Sequence, residues 1–275
     1  MLFSWEDFFG ALGSIVAVIP DTLLMVLIMM AGGVLLGFGL NALRWMPGRL
    51  PGALVDAYVS YMRGVPLLIN LFLAATVLPK LISRAAALVR VSITPAQVPP
   101  VIIGVLALTL FEAALQSENI RGMLRSVDRG QLDAAHSIGL TTWQGWRRIV
   151  LPQLVGVAAP ILINSTIKSI KAMSLVFAIS VVDIFATARL SAALRGRYLE
   201  SYAAASIVYW TLCGVLTALS TWLERRFSYI EAPERASRST SDSAHKPTPI
   251  NQLPPTKGTQ NEQHRVRTDR EHAVR

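Results

Sequence analysis

Residues 22–43 read T-L-L-M-V-L-I-M-M-A-G-G-V-L-L-G-F-G-L-N-A-L, an apolar run in which Asn41 is the only strongly polar side chain. The hydrocarbon core of a bilayer is about 30 Å thick and takes roughly 20 apolar residues of helix to cross. The run therefore predicts a transmembrane helix. Residues 202–223 satisfy the same condition without a single charge. Residues 58–78 span if Arg63 lies near one interface, and residues 99–117 span at the cost of burying Glu112. Residues 153–187 are too long for one straight crossing and are interrupted by Lys168 and Lys171, which predicts one span plus a re-entrant or surface segment.

The composition agrees with this reading. With 52% hydrophobic and 16% charged residues gathered into long runs, the 275-residue chain is more apolar than a soluble core needs. The predicted fold is an all-α polytopic membrane helix bundle of five transmembrane helices. Its expected organisation is an extracytoplasmic interfacial segment (1–21), a transmembrane domain (22–227) containing a cytoplasmic helical loop (122–152), and a disordered cytoplasmic tail (228–275).

Five crossings put the termini on opposite sides, and cytoplasmic loops collect Lys and Arg. Arg44, Arg49, Arg63, Arg121, Arg125, Arg129, Arg147, Arg148, Arg225 and Arg226 fall on one side, against Lys80, Arg84, Arg90, Arg189, Arg195 and Arg197 on the other. The ten-to-six margin predicts an N-terminus outside and a C-terminus inside. The net charge of +9 largely reflects this bias, so no nucleic-acid partner is required. Residues 1–21 contain no Lys or Arg, unlike a secretory signal, and Phe3, Trp5, Phe8 and Phe9 suit an interfacial position. Residues 231–275 lack aromatics and are rich in Ser, Thr, Pro and Gln, a composition that cannot bury enough apolar surface to offset chain entropy. Cys213 is the single cysteine, which excludes a disulfide framework.

The sequence carries no G-x-x-x-x-G-K-S/T phosphate loop, no H-x-x-x-H or C-x-x-C metal spacing and no nucleophile–base constellation. Catalysis, metal binding and a cofactor on this chain are therefore not expected.

Residues 130–152, G-Q-L-D-A-A-H-S-I-G-L-T-T-W-Q-G-W-R-R-I-V-L-P, form a compact polar stretch between two apolar segments. Residues 131–138 predict a short helix stopped by Gly139, since glycine readily takes the left-handed conformation after a helix. Thr141 and Gln144 have capping-box spacing for a second helix, on which Trp143, Trp146 and Ile149 or Val150 form an apolar face. Ala134 and Ala135 allow close approach of a partner backbone, and Asp133 places an acid near the first helix's start. The competing reading is a hairpin folded against its own bundle.

This stretch resembles the E-A-A loop of permease subunits of ATP-binding-cassette importers, whose pattern is E-A-A-x-x-x-G with a later L-P. Asp133, Ala134, Ala135, Gly139, Leu151 and Pro152 match it, with aspartate in place of glutamate. Residues 58–72, Y-V-S-Y-M-R-G-V-P-L-L-I-N-L-F, are similar to the Y-V-x-x-x-R-G-T-P-L-L-x-Q-x-F signature of the polar amino acid branch. Residues 113–122 and 170–175, A-A-L-Q-S-E-N-I-R-G and I-K-A-M-S-L, resemble its A-A-Y-x-x-E-x-x-R-G and L-K-D-T-S-L segments. The chain departs at Val65, Asn70, Leu115, Ala172 and Met173.

The resemblance implies a bacterial inner-membrane importer with several components. Two permease subunits, identical or homologous, form the path; an ATPase dimer holding ATP and Mg powers it; and an extracytoplasmic binding protein delivers a polar amino acid, with basic amino acids or opines as candidates. Asp133, Ala134, Ala135 and Gly139 would couple to the ATPase. Intramembrane polar groups are costly and mark function by default, so Asn70, Glu112, Lys168, Lys171 and Ser174 are the candidate solute path. Glu112 has two open readings: contact with a cationic solute group, or pairing with Lys168 or Lys171. Glu118 and Arg121 are read as a structural i,i+3 ion pair. Gly33 and Gly37 have the G-x-x-x-G spacing of close helix packing. The alternative is a stand-alone secondary transporter or channel, which would call for internal repeats with matching broken helices; no convincing pair occurs.

Overall fold

The computed structural model describes residues 3–128 and 130–227. The expected tail and Arg129 lie outside these described residues. Among the described residues, ten α-helices follow in order: α1 (Trp5–Ala17), α2 (Ile19–Arg44), α3 (Arg49–Gly64), α4 (Leu67–Leu88), α5 (Pro100–Ser126), α6 (Gly130–Ser137), α7 (Thr142–Gly145), α8 (Leu151–Met173), α9 (Ile184–Arg195) and α10 (Tyr198–Phe227). Tight 3-10 turns occupy Pro95–Gln97 and Ser174–Ile179, and a wider π turn, Trp146–Val150, joins α7 to α8. Among the described residues, five helical stretches are long and apolar enough to cross a membrane: Trp5–Arg44, Leu67–Leu88, Pro100–Ser126, Thr142–Ile179 and Tyr198–Arg226.

Span boundaries differ from the sequence expectation at two prolines. The expected crossing over residues 58–78 is split, because Val65 is extended at φ −93° and ψ 133°, the conformation that a following proline favours. Helix α3 stops at Gly64, and α4 is the crossing. Tyr58 and Arg63 thus belong to an amphipathic helix whose Val55 and Val59 pack with Ala114 of α5, while the Tyr58 hydroxyl donates to the Leu110 carbonyl at 2.6 Å. At the first span, Pro20 lies in the opening turn of α2, where its missing N–H has no helical partner to lose. The helix therefore starts at Ile19 rather than at residue 22. Helix α5 also runs to Ser126, past the expected end at 117. Residues 153–187 divide into α8, the second 3-10 turn and the start of α9, with Val176 and Val181 buried among Met29, Leu71 and Ile170.

Lipid tails are as apolar as leucine, so helices in a bilayer associate through close packing and internal hydrogen bonds. Helices α2 and α5 do both. A Cβ on Gly33 would lie 2.6 Å from the Glu112 Cβ, and one on Gly37 would lie 3.0 Å from the Ser117 amide nitrogen. The G-x-x-x-G spacing is thus spent inside this chain. Asn41 Nδ2, buried in the same seam, donates to the Gly37 carbonyl at 3.0 Å and the Ser117 carbonyl at 2.9 Å.

At the end of the bundle remote from α6 and α7, α1 buries Phe8, Ala11 and Ile15 against Ile184, Ala188, Ala204 and Val208. Ser4 caps α1 by accepting from the Asp7 amide at 3.3 Å, and Asp7 pairs with Arg195 and Arg197 at 3.3 and 3.4 Å. The aromatic N-terminal segment is therefore a helix docked on α9 and α10, with Trp5 and Phe9 still largely exposed.

Candidate functional site

Two places hold the polar groups singled out by the sequence. The first is the hairpin of α6 and α7. Gly139 has φ +83° and supplies the left-handed residue that ends α6. Its N–H donates to the His136 carbonyl at 3.0 Å and that of Leu140 to the Ala135 carbonyl at 3.1 Å, the paired bonds of a Schellman cap. Helix α7 opens with a reciprocal capping box: the Gln144 amide donates to Thr141 Oγ1 at 3.3 Å, and Gln144 Oε1 accepts from the Thr141 amide at 2.9 Å. Four termini groups that water would otherwise have to satisfy are thus closed within ten residues of chain.

The hairpin is packed as well as capped. Ala135 is fully buried, and a Cβ on Gly145 would lie 3.2 Å from the Ala135 Cβ. Ala135 therefore joins α6 to α7, whereas Asp133, Ala134 and Gly139 are exposed. The expected apolar face divides likewise: Val150 is buried, and Trp143 is 73% exposed beside an Ile138 that is 74% exposed. Under the hairpin, a cavity of about 240 Å³ is lined by Trp45, Leu124, Val127, Asp128, Leu132, Trp146 and Val150. The π turn leads directly into α8, so no loop separates the hairpin from the membrane span.

The second place lies midway along α2 and α5 and in the second half of α8. Glu112 is 2% exposed; one carboxylate oxygen accepts from the Ser169 hydroxyl, and the other accepts from Gln116 Nε2 at 3.1 Å. Gln116 Nε2 also reaches Ser165 Oγ at 2.8 Å, and its Oε1 accepts from Asn119 at 3.1 Å. Neutral donors satisfy its carboxylate in this arrangement, and among the described residues neither lysine is within ion-pair distance of it, although Lys168 is close enough to act on it electrostatically. Lys168 and Lys171 are both exposed, with Lys168 on the flank of α8 next to Ser169 and Lys171 farther round the helix. Ser174 Oγ donates to the Lys171 carbonyl at 2.7 Å, and Asn70 Nδ2 reaches the Val65 carbonyl at 3.5 Å. The candidate path residues thus separate into a buried acid with its own donors and an exposed cationic face.

Toward the hairpin, Glu118 accepts from Arg121 at 2.6 Å and pairs with Arg44 at 2.9 Å. Arg44 also pairs with Asp56 at 2.7 Å. These groups, with Arg63, line a polar cleft of about 460 Å³ between α2, α3 and α5. Sequence reading missed Gln116, Ser165, Ser169 and Arg44. The i,i+4 pairs 112/116 and 165/169 were the available signal, since each puts two polar groups on one face of an apolar helix.

A five-span helical bundle with a charged mid-membrane level and a rigid external hairpin defines a multi-pass membrane transport subunit. The chain belongs to the family of binding-protein-dependent transport system inner membrane components, whose match covers residues 33–229. Such subunits are transporters rather than catalysts. The chain is 34% identical over 224 residues to the probable amino-acid permease protein YxeN of Bacillus subtilis, covering 82% of this chain and 96% of that protein. It is 35% identical over 175 residues to the probable amino-acid ABC transporter permease protein PatM of Vibrio harveyi, covering 64% and 74%. A crystal structure of an amino acid ABC transporter with histidines superposes with a TM-score of 0.67 at 25% identity, covering 82% of this chain and 100% of that one. The inward-facing MetNI methionine ABC transporter shares the fold, with a TM-score of 0.60 at 16% identity over 82% of this chain and 99% of that one.

Proposed function

We propose that this chain is the translocating subunit of an ATP-driven importer of polar amino acids, working by alternating access. The solute class is supported by relatives named as amino-acid permeases, among them the glutamate/aspartate import permease protein GltK of Escherichia coli O157:H7, 29% identical over 224 residues covering 82% of this chain and 98% of that protein. A separate ATPase dimer holds ATP and Mg, a second permease completes the path, and an extracytoplasmic protein delivers the solute. The hairpin faces the cytoplasm together with the C-terminus, and the N-terminus lies outside.

The observation that carries this reading is the hairpin's construction. Asp133, Ala134, Ile138, Gly139 and Trp143 present an exposed surface, while caps and the Ala135–Gly145 contact make the unit stiff. A partner that grips this surface moves the start of α8 with it. Closure of an ATPase dimer then biases the bundle between inward-open and outward-open states by a rigid-body shift. Lys168, Lys171, Asn70 and Ser174 border the path, and Glu112 holds α5 to α8 beside it.

The test is capture of the ATPase on the purified chain, followed by uptake with Gly139→Trp. An added side chain at Gly139 meets open space within the chain, so it protrudes toward the partner, and at φ +83° it also strains the cap that ends α6. Membrane insertion should be unchanged and ATP-coupled uptake abolished. Full ATP-driven uptake by that variant, or solute uptake by the lone chain without ATP, refutes the assignment.

A further inference from the structure

The exposed face of α8 carries a selectivity of its own, an inference that rests on its assignment to the solute path. Asn164, Lys168 and Lys171 follow at i, i+4 and i+7, so they form one stripe, and all three side chains are exposed. Neither ammonium has a hydrogen bond or ion pair among the described residues, and the one acid that acts electrostatically on Lys168 is the buried Glu112. Their depth follows from their neighbour Ser169, whose hydroxyl touches Glu112 and Met30. Met30 is the twelfth of 26 residues in α2, and Glu112 is the thirteenth of 27 in α5. With a rise of about 1.5 Å per residue, both lysines lie close to the middle of these helices. A charge at that depth is costly against lipid and faces a water-filled cavity instead.

The charges at this level are unbalanced. Glu112 is its acid, and that carboxylate is buried with both oxygens occupied, so it does not offer itself to a solute ammonium. A second copy of this chain facing the stripe would add two more cations and the same buried acid. We propose that the path selects solutes with more carboxylates than ammonium groups, such as dicarboxylic amino acids or N-carboxyalkyl amino acids of the opine type, and discriminates against basic amino acids. Of the two solute classes raised by the sequence, the opines fit this face and the basic amino acids do not.

The experiment uses the whole transporter in proteoliposomes, with Cys213→Ser removing the native thiol and Asn164→Cys reporting from the stripe. Ile161→Cys, about one turn earlier, is a second reporter should the first fail to assemble. Each reporter is modified with an anionic and with a cationic methanethiosulfonate. The anionic reagent should be favoured about tenfold over its ratio with free cysteine, as expected in a cavity lined by one sign of charge. Lys168→Gln with Lys171→Gln should remove the bias, and L-glutamate, not L-arginine, should protect the thiol. Modification without bias, cationic preference or protection by L-arginine alone overturns the selectivity and leaves the path standing. Resistance of both reporters to both reagents overturns the path assignment itself, and the selectivity with it.

Discussion

Replacing Gly33 by alanine tests whether the α2–α5 seam is a fixed contact or a loose one. The added Cβ would meet the Glu112 Cβ at 2.6 Å and the Glu112 carbonyl carbon at 3.3 Å. Both atoms belong to or adjoin the backbone of α5, so no rotamer change relieves the overlap. Carbon atoms rest at roughly 3.5–4.0 Å, which requires the helices to part by about 1 Å locally. Gly39→Ala is the matched control, because a Cβ there meets nothing within 4 Å and both substitutions gain the same helix propensity, up to about 1 kcal/mol. The difference between the variants is then the overpacking cost, about 1–3 kcal/mol. For a chain of this size that corresponds to a Tm lower by about 2–12 °C. The assay is thermal unfolding of the purified protein in detergent, followed by tryptophan fluorescence, for which the chain has six reporters. Uptake should fall in parallel, because Glu112 is displaced from Ser169 and Gln116. A Gly33→Ala protein as stable as Gly39→Ala would show that α2 and α5 are not in contact at this point, and the mid-membrane network would lose its structural basis.

Arg44→Gln removes a side chain that is 11% exposed and bonded to Asp56, Glu118 and Ser117; the expected loss in thermal unfolding is about 1–3 kcal/mol, and Arg44→Lys should recover only part of it because lysine lacks the forked donors. Ala135→Leu overpacks the contact with Gly145 and should cost about 1–3 kcal/mol, whereas Ala134→Leu, on the exposed side, should leave the Tm unchanged and weaken capture of the ATPase. Asp183 caps α9 through the Ala186 amide at 2.9 Å, and burial raises its carboxyl pKa above the ordinary value. The protonated acid therefore favours the folded state below the ordinary pKa, and that contribution disappears as pH rises through the folded-state value. Asp183→Asn, which keeps an acceptor but cannot ionise, should gain in Tm relative to the wild type as pH rises from acid to neutral; a constant difference would refute the assignment of burial as the cause.

The number and type of spans were legible because burying the helix backbone in lipid demands long apolar runs, and those runs are a one-dimensional property. Boundaries were less so. Pro66 lies within a run that hydropathy alone treats as continuous, and the break it imposes depends on the conformation of Val65 rather than on polarity. The hairpin could be read residue by residue, since Gly139 and the Thr141–Gln144 box act locally. Its inner and outer faces could not: Ala134 and Ala135 are identical in sequence terms, and their different roles follow from Gly145 ten residues away. The polar level was read in part for the same reason. Periodicity places Gln116 below Glu112 and Ser169 above Ser165, but the pairing of those two faces depends on how closely α5 and α8 approach, a distance that no single-helix pattern encodes.

The hairpin and the mid-membrane level share two helices, and this bears on how a force could travel between them. Helix α5 enters the hairpin and carries Glu112 and Gln116; α8 leaves it and carries Ser165, Ser169 and the lysine stripe. The two are bonded to each other at mid-depth, so they form a pair clamped at both ends. Rotation of the hairpin as a rigid unit cannot be absorbed by independent sliding of α5 and α8, because their mid-level bonds would break. It must instead carry the pair as one body or concentrate the strain at a weak point between the clamps. The π turn at Trp146–Val150 is such a point, since it leaves the ordinary i→i+4 pattern of the helix. On the proposed function, force applied at Ala134 and Trp143 reaches Lys168 through α8, with that turn as the place where the angle between hairpin and span is set.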